Sequence, residues 1–477
     1  MKRIVIVCCA IFVALAGRAQ SFSWTDAAGA TFDITITDAT NKYAKVTRGD
    51  APAGATEITV PGSVPYNGNT YTVTDVAGSV TSVNGDFFWN GLKKVILSEG
   101  IRIVRSFAIY IAPQVEEVVF PSTLEVIKSE ACAYLGLKHI DLSNTKVRYI
   151  GPSAFNSNAG TIESVKFPQT LRRVEEGLFN SDDNGTPLKN MTLPAQLDTL
   201  SYLTFRSLAN LEEITFEKPT PALLYINNPL NPSEGPFDLF RENTNLQKIY
   251  VPVDAAKAYM DAPWWALHGS KYREKLTIGA TGYTTYYLEN ENFVVPAGCT
   301  AYIITGITPS GKHGVPSTAH AQAFGAGKII PKQTGFILQG TPSSTIEYQA
   351  NVTGTEENVT GNLLVGTATE QEFSSASYKY YILSNSGDQG LGFYKQGTRD
   401  GASIKLKPHR AGLRLPAGVA PAKGIIIDFD EAEPAVTAID TPAADMPKKD
   451  IIYNLQGQRV ARAEHGIYII NGKKVIK

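Results

Sequence analysis

Cysteine is scarce: four residues in 477, and Cys8 and Cys9 sit inside the leading apolar run. The remaining pair, Cys132 and Cys299, is too few and too far apart in sequence for a disulfide framework, so the fold must rest on packing. Charge of either sign is in no excess, with 44 Lys+Arg against 45 Asp+Glu. That balance excludes the basic field by which nucleic acid or an anionic membrane is attracted. After the first twenty residues no stretch reaches the roughly 18 uninterrupted apolar positions that a membrane-spanning helix requires. Catalytic signatures are missing as well. No G-x-S-x-G elbow, H-E-x-x-H, C-x-x-C or phosphate loop ending Gly-Lys-Ser/Thr occurs.

Residues 1–20 are a separate object. Lys2 and Arg3 precede an apolar run from Ile4 to Leu15, then small residues at Ala16, Gly17 and Ala19, the pattern of a secretory signal cut after Ala19 or Gln20.

What the chain has is repetition. An apolar residue, two polar ones and two alternating apolar ones recur seven times, from Leu92-x-x-Val95-x-Leu97 through Leu246-x-x-Ile249-x-Val251. The intervening starts are Val115, Leu137, Ile162, Leu188 and Leu211, and successive starts are 23, 22, 25, 26, 23 and 35 residues apart. Nine or ten residues after the first five starts comes a second apolar pair, as in Leu124/Ile127 and Leu171/Val174. Five residues further stands a large apolar residue: Ile109, Cys132, Phe155, Phe179 or Phe205. One such coil cannot bury its apolar face, whereas stacked coils share a continuous core. Each coil reads as a short strand, a turn, a second extended segment and a brief helical turn carrying the Phe. Pro121, Pro168, Pro194 and Pro252 close the first strand, where no amide hydrogen is available.

The residue after each start gives an independent check. It reads Lys93, Glu116, Lys138, Glu163, Lys189, Glu212, which register stacking turns into a ladder of alternating charge. Cys132, in a slot that Phe fills elsewhere, reads as a buried inert thiol.

These phrases, best in Val115–Cys132, Leu137–Phe155 and Ile162–Phe179, resemble the BspA-like leucine-rich repeats of bacterial surface proteins. The resemblance covers roughly residues 55–276. It implies a mainly β fold with short helices: a right-handed leucine-rich-repeat solenoid, here followed by an antiparallel β-sandwich or barrel. The expected divisions are a signal peptide 1–20, an amino-terminal β cap with a degenerate first repeat (Ile58-Thr-Val60-Pro61) over 21–90, and the solenoid with its carboxyl-terminal cap over 91–276. A β domain over 277–430, a linker over 431–449 and a β-hairpin tail over 450–477 follow. Phrases such as Val295-Pro-Ala-Gly298 resemble a β-domain of secreted gut-bacterial proteins, and the tail resembles type IX secretion sorting domains.

Candidate binding residues come from two places. The 35-residue spacing leaves a surplus within Glu217–Pro236, a proline-stiffened loop carrying Tyr225, Asn227 and Asn228, and insertions in solenoids often bind. Trp264 and Trp265 lie in a segment, Val253–Leu276, expected to form a short capping helix, with a sugar platform as the other use of those indoles. His313 and His320 share a Gly-rich loop without a carboxylate or thiol to complete a metal set, and Asp182–Gly185 lacks the further ligands of a calcium loop. No metal, cofactor or catalytic residue is therefore assigned. The leading reading is a secreted, non-enzymatic surface binding or adhesion protein whose partner is a protein or glycan ligand at the bacterial surface, host molecules included. Nucleic acid is excluded as a partner, and the oligomeric state is open. A carbohydrate-binding accessory for polysaccharide capture stands second, favoured by a cluster of exposed aromatic rings. An enzyme with chemistry in the β-domain stands third.

Overall fold

Every one of the seven phrases forms a strand in the computed structural model, and their apolar positions are register partners within three parallel groups. Val95 faces Val118, Ile140 faces Val165, and Met191, Ile214 and Ile249 follow one another across parallel strands. The structure describes residues 20–86, 90–156, 160–179, 187–201, 203–206, 208–225, 238–312, 315–387, 390–419 and 424–429, together with four short strands after 451. The leading segment 1–19, most of the inserted loop (226–237), the Asp182–Gly185 turn, His313 and the linker lie outside these residues.

The second apolar pairs make their own parallel ladder, running Ile103–Val104, Val126–Ile127, Tyr149–Ile150, Arg173–Val174, Thr199–Ser201 and Leu223–Tyr225. At its amino-terminal end this ladder joins Asn69–Val76, which pairs with Tyr43–Ala51 and through it with the antiparallel strands Thr31–Asp38 and Ser21–Thr25. The cap is therefore hydrogen-bonded to the coils as one twelve-stranded sheet. Ile58 of the degenerate first coil faces Val95.

Between the ladders lies one core. Phe155, Phe179 and Phe205 are buried in it, with the Phe155 and Phe179 centroids 6.2 Å apart and Phe205 stacked on Phe240 at 6.1 Å. Cys132 is fully buried, and burial pushes its thiol far above the ordinary range, as an inert packing role requires. Outside, the alternating charges meet: Lys93–Glu116 at 3.2 Å, Glu116–Lys138 at 3.8 Å and Lys189–Glu212 at 2.9 Å. These pairs are exposed, so each contributes only a few tenths of a kcal/mol, up to about 1.

The segment before each Phe slot differs from expectation. It is a hydrogen-bonded turn, not a helical one, and its amides bond between coils: Ile109 N to Ala131 O (2.9 Å), Cys132 N to Ala154 O (2.8 Å), Phe155 N to Leu178 O (3.2 Å). The reason is a left-handed residue two positions before each slot, namely Phe107, Glu130, Ser153, Gly177 and Leu203, which stops a helix from propagating. Only one of the five is glycine. Ser153 (φ 55°) makes no side-chain hydrogen bond in the described structure. Ser153→Gly is expected to stabilise the protein by up to about 1 kcal/mol, since a Cβ in this conformation costs ~1–2 kcal/mol and glycine's extra unfolded-state freedom returns part of that. Urea unfolding would show it; a destabilised variant would contradict the account.

At the carboxyl-terminal end, Val253–Leu276 is not one helix. A short helix, Ala256–Asp261, and a 3-10 stretch, Trp265–Lys271, are followed by the strand Tyr272–Thr277. That strand runs across the expected division at 276/277. It extends the first-phrase ladder beside Lys248–Tyr250 and pairs antiparallel with Thr345–Gln349. Lys248 Nζ and Tyr250 Oη both bond Glu347, at 2.9 and 2.6 Å.

Behind this seam lies a sealed polar knot. The Glu274 carboxylate accepts from the amides of Asp254 (2.9 Å), Ala255 (3.2 Å) and Ala256 (3.3 Å), and from Tyr348 Oη (2.5 Å). Glu291 Oε1 accepts from Ala256 N at 3.1 Å, while its Oε2 meets no donor among the described residues. Asp254 in turn holds the amides of Glu289 and Asn290, each at 2.9 Å.

From Tyr283 onward a nine-stranded sheet follows, antiparallel except where Ser317–Phe324 meets Ile425–Asp428 in parallel. It curls so that Ala411 N of its eighth strand reaches Thr285 Oγ1 of its first at 3.2 Å, an almost closed barrel. Close approach demands glycine here: a Cβ on Gly366 would lie 2.3 Å from the Tyr287 ring.

Residues 435–477 form a unit of their own. In it Arg459–Val460, Ile452–Asn454, Ile467–Ile470 and Lys473–Ile476 make an antiparallel sheet in that order. The pairing of Ile470 with Lys473 leaves a two-residue connection, Asn471-Gly472, itself outside the described residues.

Candidate functional site

The left-handed turns place side chains as well as ending helices. Phe107 (φ 62°), Ile111 (φ 48°) and Tyr134 (φ 61°) are all left-handed, and such strain is tolerated only where surrounding structure enforces it. The result is a ledge of aromatic rings. Phe107 and Tyr134 are 48 and 40 % exposed, and Tyr110 lies between them, edge to face with both, at 5.0 and 5.5 Å between centroids. Partial burial raises the Tyr110 hydroxyl above its usual value, and the Glu130 carboxylate beside it adds to the effect. Before the ledge lies a groove of about 440 Å³, walled by Phe107, Tyr110 and Ile111 and floored by Ala77, Gly78 and Ser79. Gly78 is needed for that floor, because a Cβ there would fall 1.8 Å from the carbonyl oxygen of Thr47. Aromatic walls with a small-residue floor and a few hydroxyls suit a ligand that has an apolar face and polar edges.

Tyr225 stands elsewhere, on the outer face of the second ladder. Its hydroxyl accepts from Arg173 Nη2 at 2.7 Å and its ring lies 4.4 Å from the guanidinium. Arg173 also reaches Glu175 at 2.7 Å and lies 5.9 Å from the Tyr149 ring, over which Lys128 sits at 5.2 Å. Tyr225 is thus one rung of a cation–π column along the coils.

The two tryptophans part company. Trp265 is buried, edge to face with Phe216 and Tyr259 at 5.1 Å each, and its indole donates to Ala222 O at 3.3 Å. It plugs the end of the core, which removes it from any surface platform. Trp264, left-handed at φ 73°, is 43 % exposed. Asn227 and Asn228 lie outside the described residues. His320 Nε2 shares a hydrogen bond with Thr308 at 2.6 Å. Among the described residues no group of three His, Cys, Asp or Glu could hold a metal ion, and no helix is long and apolar enough to cross a membrane. Glu274 and Glu291 are sealed from solvent, so that carboxyl pair holds structure and not substrate.

The ledge was missed in the sequence. Its three rings sit in the turn around the Phe slot, where residues vary between coils, and a left-handed backbone at a non-glycine leaves no mark that a sequence reveals.

Residues 66–186, 102–227 and 161–258 match the family described as BspA type leucine rich repeat region, in six copies. The repeat region of this chain is thus similar to the BspA type leucine rich repeat region over residues 66–258. Three solved structures are similar to parts of the chain. A leucine rich cell surface protein from Faecalibacterium prausnitzii is 17 % identical over 49 % of this chain and 71 % of that one, with a TM-score of 0.32. A leucine-rich repeat protein from Bacteroides ovatus is 15 % identical over 46 % of this chain and 70 % of that one, at 0.22. The pneumococcal vaccine antigen PcpA is 13 % identical over 53 % of this chain and 96 % of that one, at 0.27. No curated protein matches the chain.

Proposed function

We infer that this chain is a secreted, surface-associated binding protein whose repeat region holds a glycan-bearing partner. The observation that carries this reading is the Phe107–Tyr110–Tyr134 ledge above its groove. Exposed rings held in strained turns are costly to keep, and a sugar ring, with an apolar face and hydroxyl edges, matches both their faces and the Ser79 hydroxyl of the floor. The leading apolar segment, with the pattern of a secretory signal, supports a place outside the cell. The same ledge also supports the second reading, capture of free polysaccharide; the two differ in whether the partner is a glycoprotein or an unattached glycan.

A glycan and host-protein array on the whole chain tests this, repeated with Phe107→Ala/Tyr134→Ala. The double variant should bind its best partner at least about tenfold more weakly, the effect of losing aromatic contacts at the centre of an interface. Both rings are half-buried against Tyr110, so a small loss of thermal stability is expected and binding is compared where both proteins are folded. Undiminished binding would remove the ledge from consideration. Deleting residues 226–237 tests the inserted loop separately, and leaves the Leu223–Tyr225 strand in place.

A further inference from the structure

Along the edge of the solenoid where the second strands begin lies another groove, of about 580 Å³. Lys146 and Arg148 from one coil and Arg172 from the next line it, with the Gln169 and Gln196 side chains and the Thr170 hydroxyl among them. The backbone amides at these positions are already used between coils: Lys146 N to Leu124 O (2.9 Å), Arg148 N to Glu125 O (3.0 Å), Arg172 N to Arg148 O (3.1 Å). At these three positions it is the side chains that remain to meet a ligand. Arg148 is paired with Glu125, and Arg172 with Asp198 at 3.0 Å, which also takes Lys218 at 2.8 Å. Among the described residues Lys146, Arg148, Arg172 and Lys218 thus meet Glu125 and Asp198, with Glu217 nearby on the Gln169 amide at 2.9 Å, and the cations exceed these carboxylates by one. Lys146 is exposed and has no ion pair among the described residues.

We propose that this groove binds the acidic sugars of a glycan, seating a carboxylate or sulfate ester among Lys146, Arg148 and Arg172 and hydroxyls on the neighbouring polar side chains. Three features select that chemistry. The uncompensated positive charge calls for an anion. Glu125 and Asp198 close the basic stretch at either end, so it suits one or two anionic groups and not the continuous charge of a nucleic acid, for which the nearly neutral chain offers no field. The Thr170 hydroxyl and the Gln169 amide already donate to Val147 O and Glu217 Oε2, each at 2.9 Å, but their oxygens, with the Gln196 side chain, can accept from the hydroxyls of a sugar ring. The proposal rests on the binding reading above but uses a different surface, so each can fail alone.

The test titrates the full chain with polygalacturonate (carboxylate), chondroitin sulfate (carboxylate and sulfate), neutral dextran and single-stranded DNA. The same ligands are run against Lys146→Ala/Arg148→Ala/Arg172→Ala and against the single variant Lys146→Glu. The acidic glycans should bind, and dextran and DNA should not. Affinity should fall roughly tenfold for each cation removed, the loss of one charge-assisted hydrogen bond. It should also weaken when salt rises from about 50 to about 300 mM, as the Debye length shortens. Lys146→Glu, reversing an exposed and unpaired charge, should weaken binding without a change in melting temperature, which covers the case of a misfolded triple variant. Binding of polygalacturonate alone would make the ligand a carboxylate; preference for chondroitin sulfate would assign the sulfate. No binding of either acidic glycan, equal binding of DNA, or full affinity in Lys146→Glu would overturn the proposal. A ligand lost in the Phe107/Tyr134 variant but kept in the triple variant belongs to the aromatic ledge, and does not count in its favour.

Discussion

Phe155→Ala is expected to lower the free energy of unfolding by about 3–5 kcal/mol, the usual cost of emptying a sealed aromatic site. The ring is fully buried, lies 6.2 Å from Phe179 and stands edge to face with Phe120 at 6.5 Å, so neighbours on both sides lose contacts. Against a typical total of about 5–15 kcal/mol this is a large share. Relaxation should be limited, because each side chain in the column is fixed by a coil above and a coil below. Urea denaturation followed by circular dichroism gives the number. A loss under about 1 kcal/mol would mean that the column is loosely filled, and the stacked-core account would have to be abandoned.

The second large effect concerns pH. Burial, the Glu274 carboxylate and the charge of Asp254 push the Glu291 acid up to about 9 from 4.5. Desolvation raises Glu274 as well, but it accepts from three amides and Tyr348 and is the natural acceptor of the pair. A proton on Glu291 Oε2 also turns an oxygen without a donor into a donor. The sign follows. Below pH 4.5 both the folded and unfolded chains carry this proton and the contribution is fully present. As pH rises from there the unfolded chain releases the proton first, and stability is lost at up to about 1.4 kcal/mol per pH unit until the folded group also ionises near pH 9. Glu291→Gln keeps a neutral donor of the same shape, so the gap in stability between variant and parent should widen from pH 5.5 to 8.5 in favour of the variant. Ionisable groups that do not touch the Glu274–Glu291 pair cancel in that difference. Parallel curves would show that Glu291 is already ionised in the folded protein.

Repeated features were legible in the sequence, and features made once were not. Leu124, Val147, Leu171 and Leu197 declare their stacking because each coil needs the same apolar residue in the same place. The Lys93–Glu116–Lys138 ladder was readable for the same reason. The seam was not. Tyr272-Arg-Glu-Lys-Leu-Thr277 alternates Tyr272, Glu274 and Leu276 inward, and a carboxylate in the inward row hides the strand period, since acids are rarely buried without partners. Those partners, Tyr348 and the turn at Asp254, lie 74 and 20 residues away. The basic groove was half visible: Lys146, Arg148 and Arg172 flank the second apolar pair, but only the structure shows which acids leave them in excess.

The seam also fixes the size of the array. A stack of parallel strands normally presents its last row of amides and carbonyls to whatever strand arrives, including one from another molecule. Here the last strand of the first-phrase ladder, Tyr272–Thr277, has Thr345–Gln349 on its far side, so that row is satisfied from within the same polypeptide. On that ladder the parallel stacking of coils therefore stops at Tyr272–Thr277, and the sheet ends on an antiparallel strand contributed by the following β region.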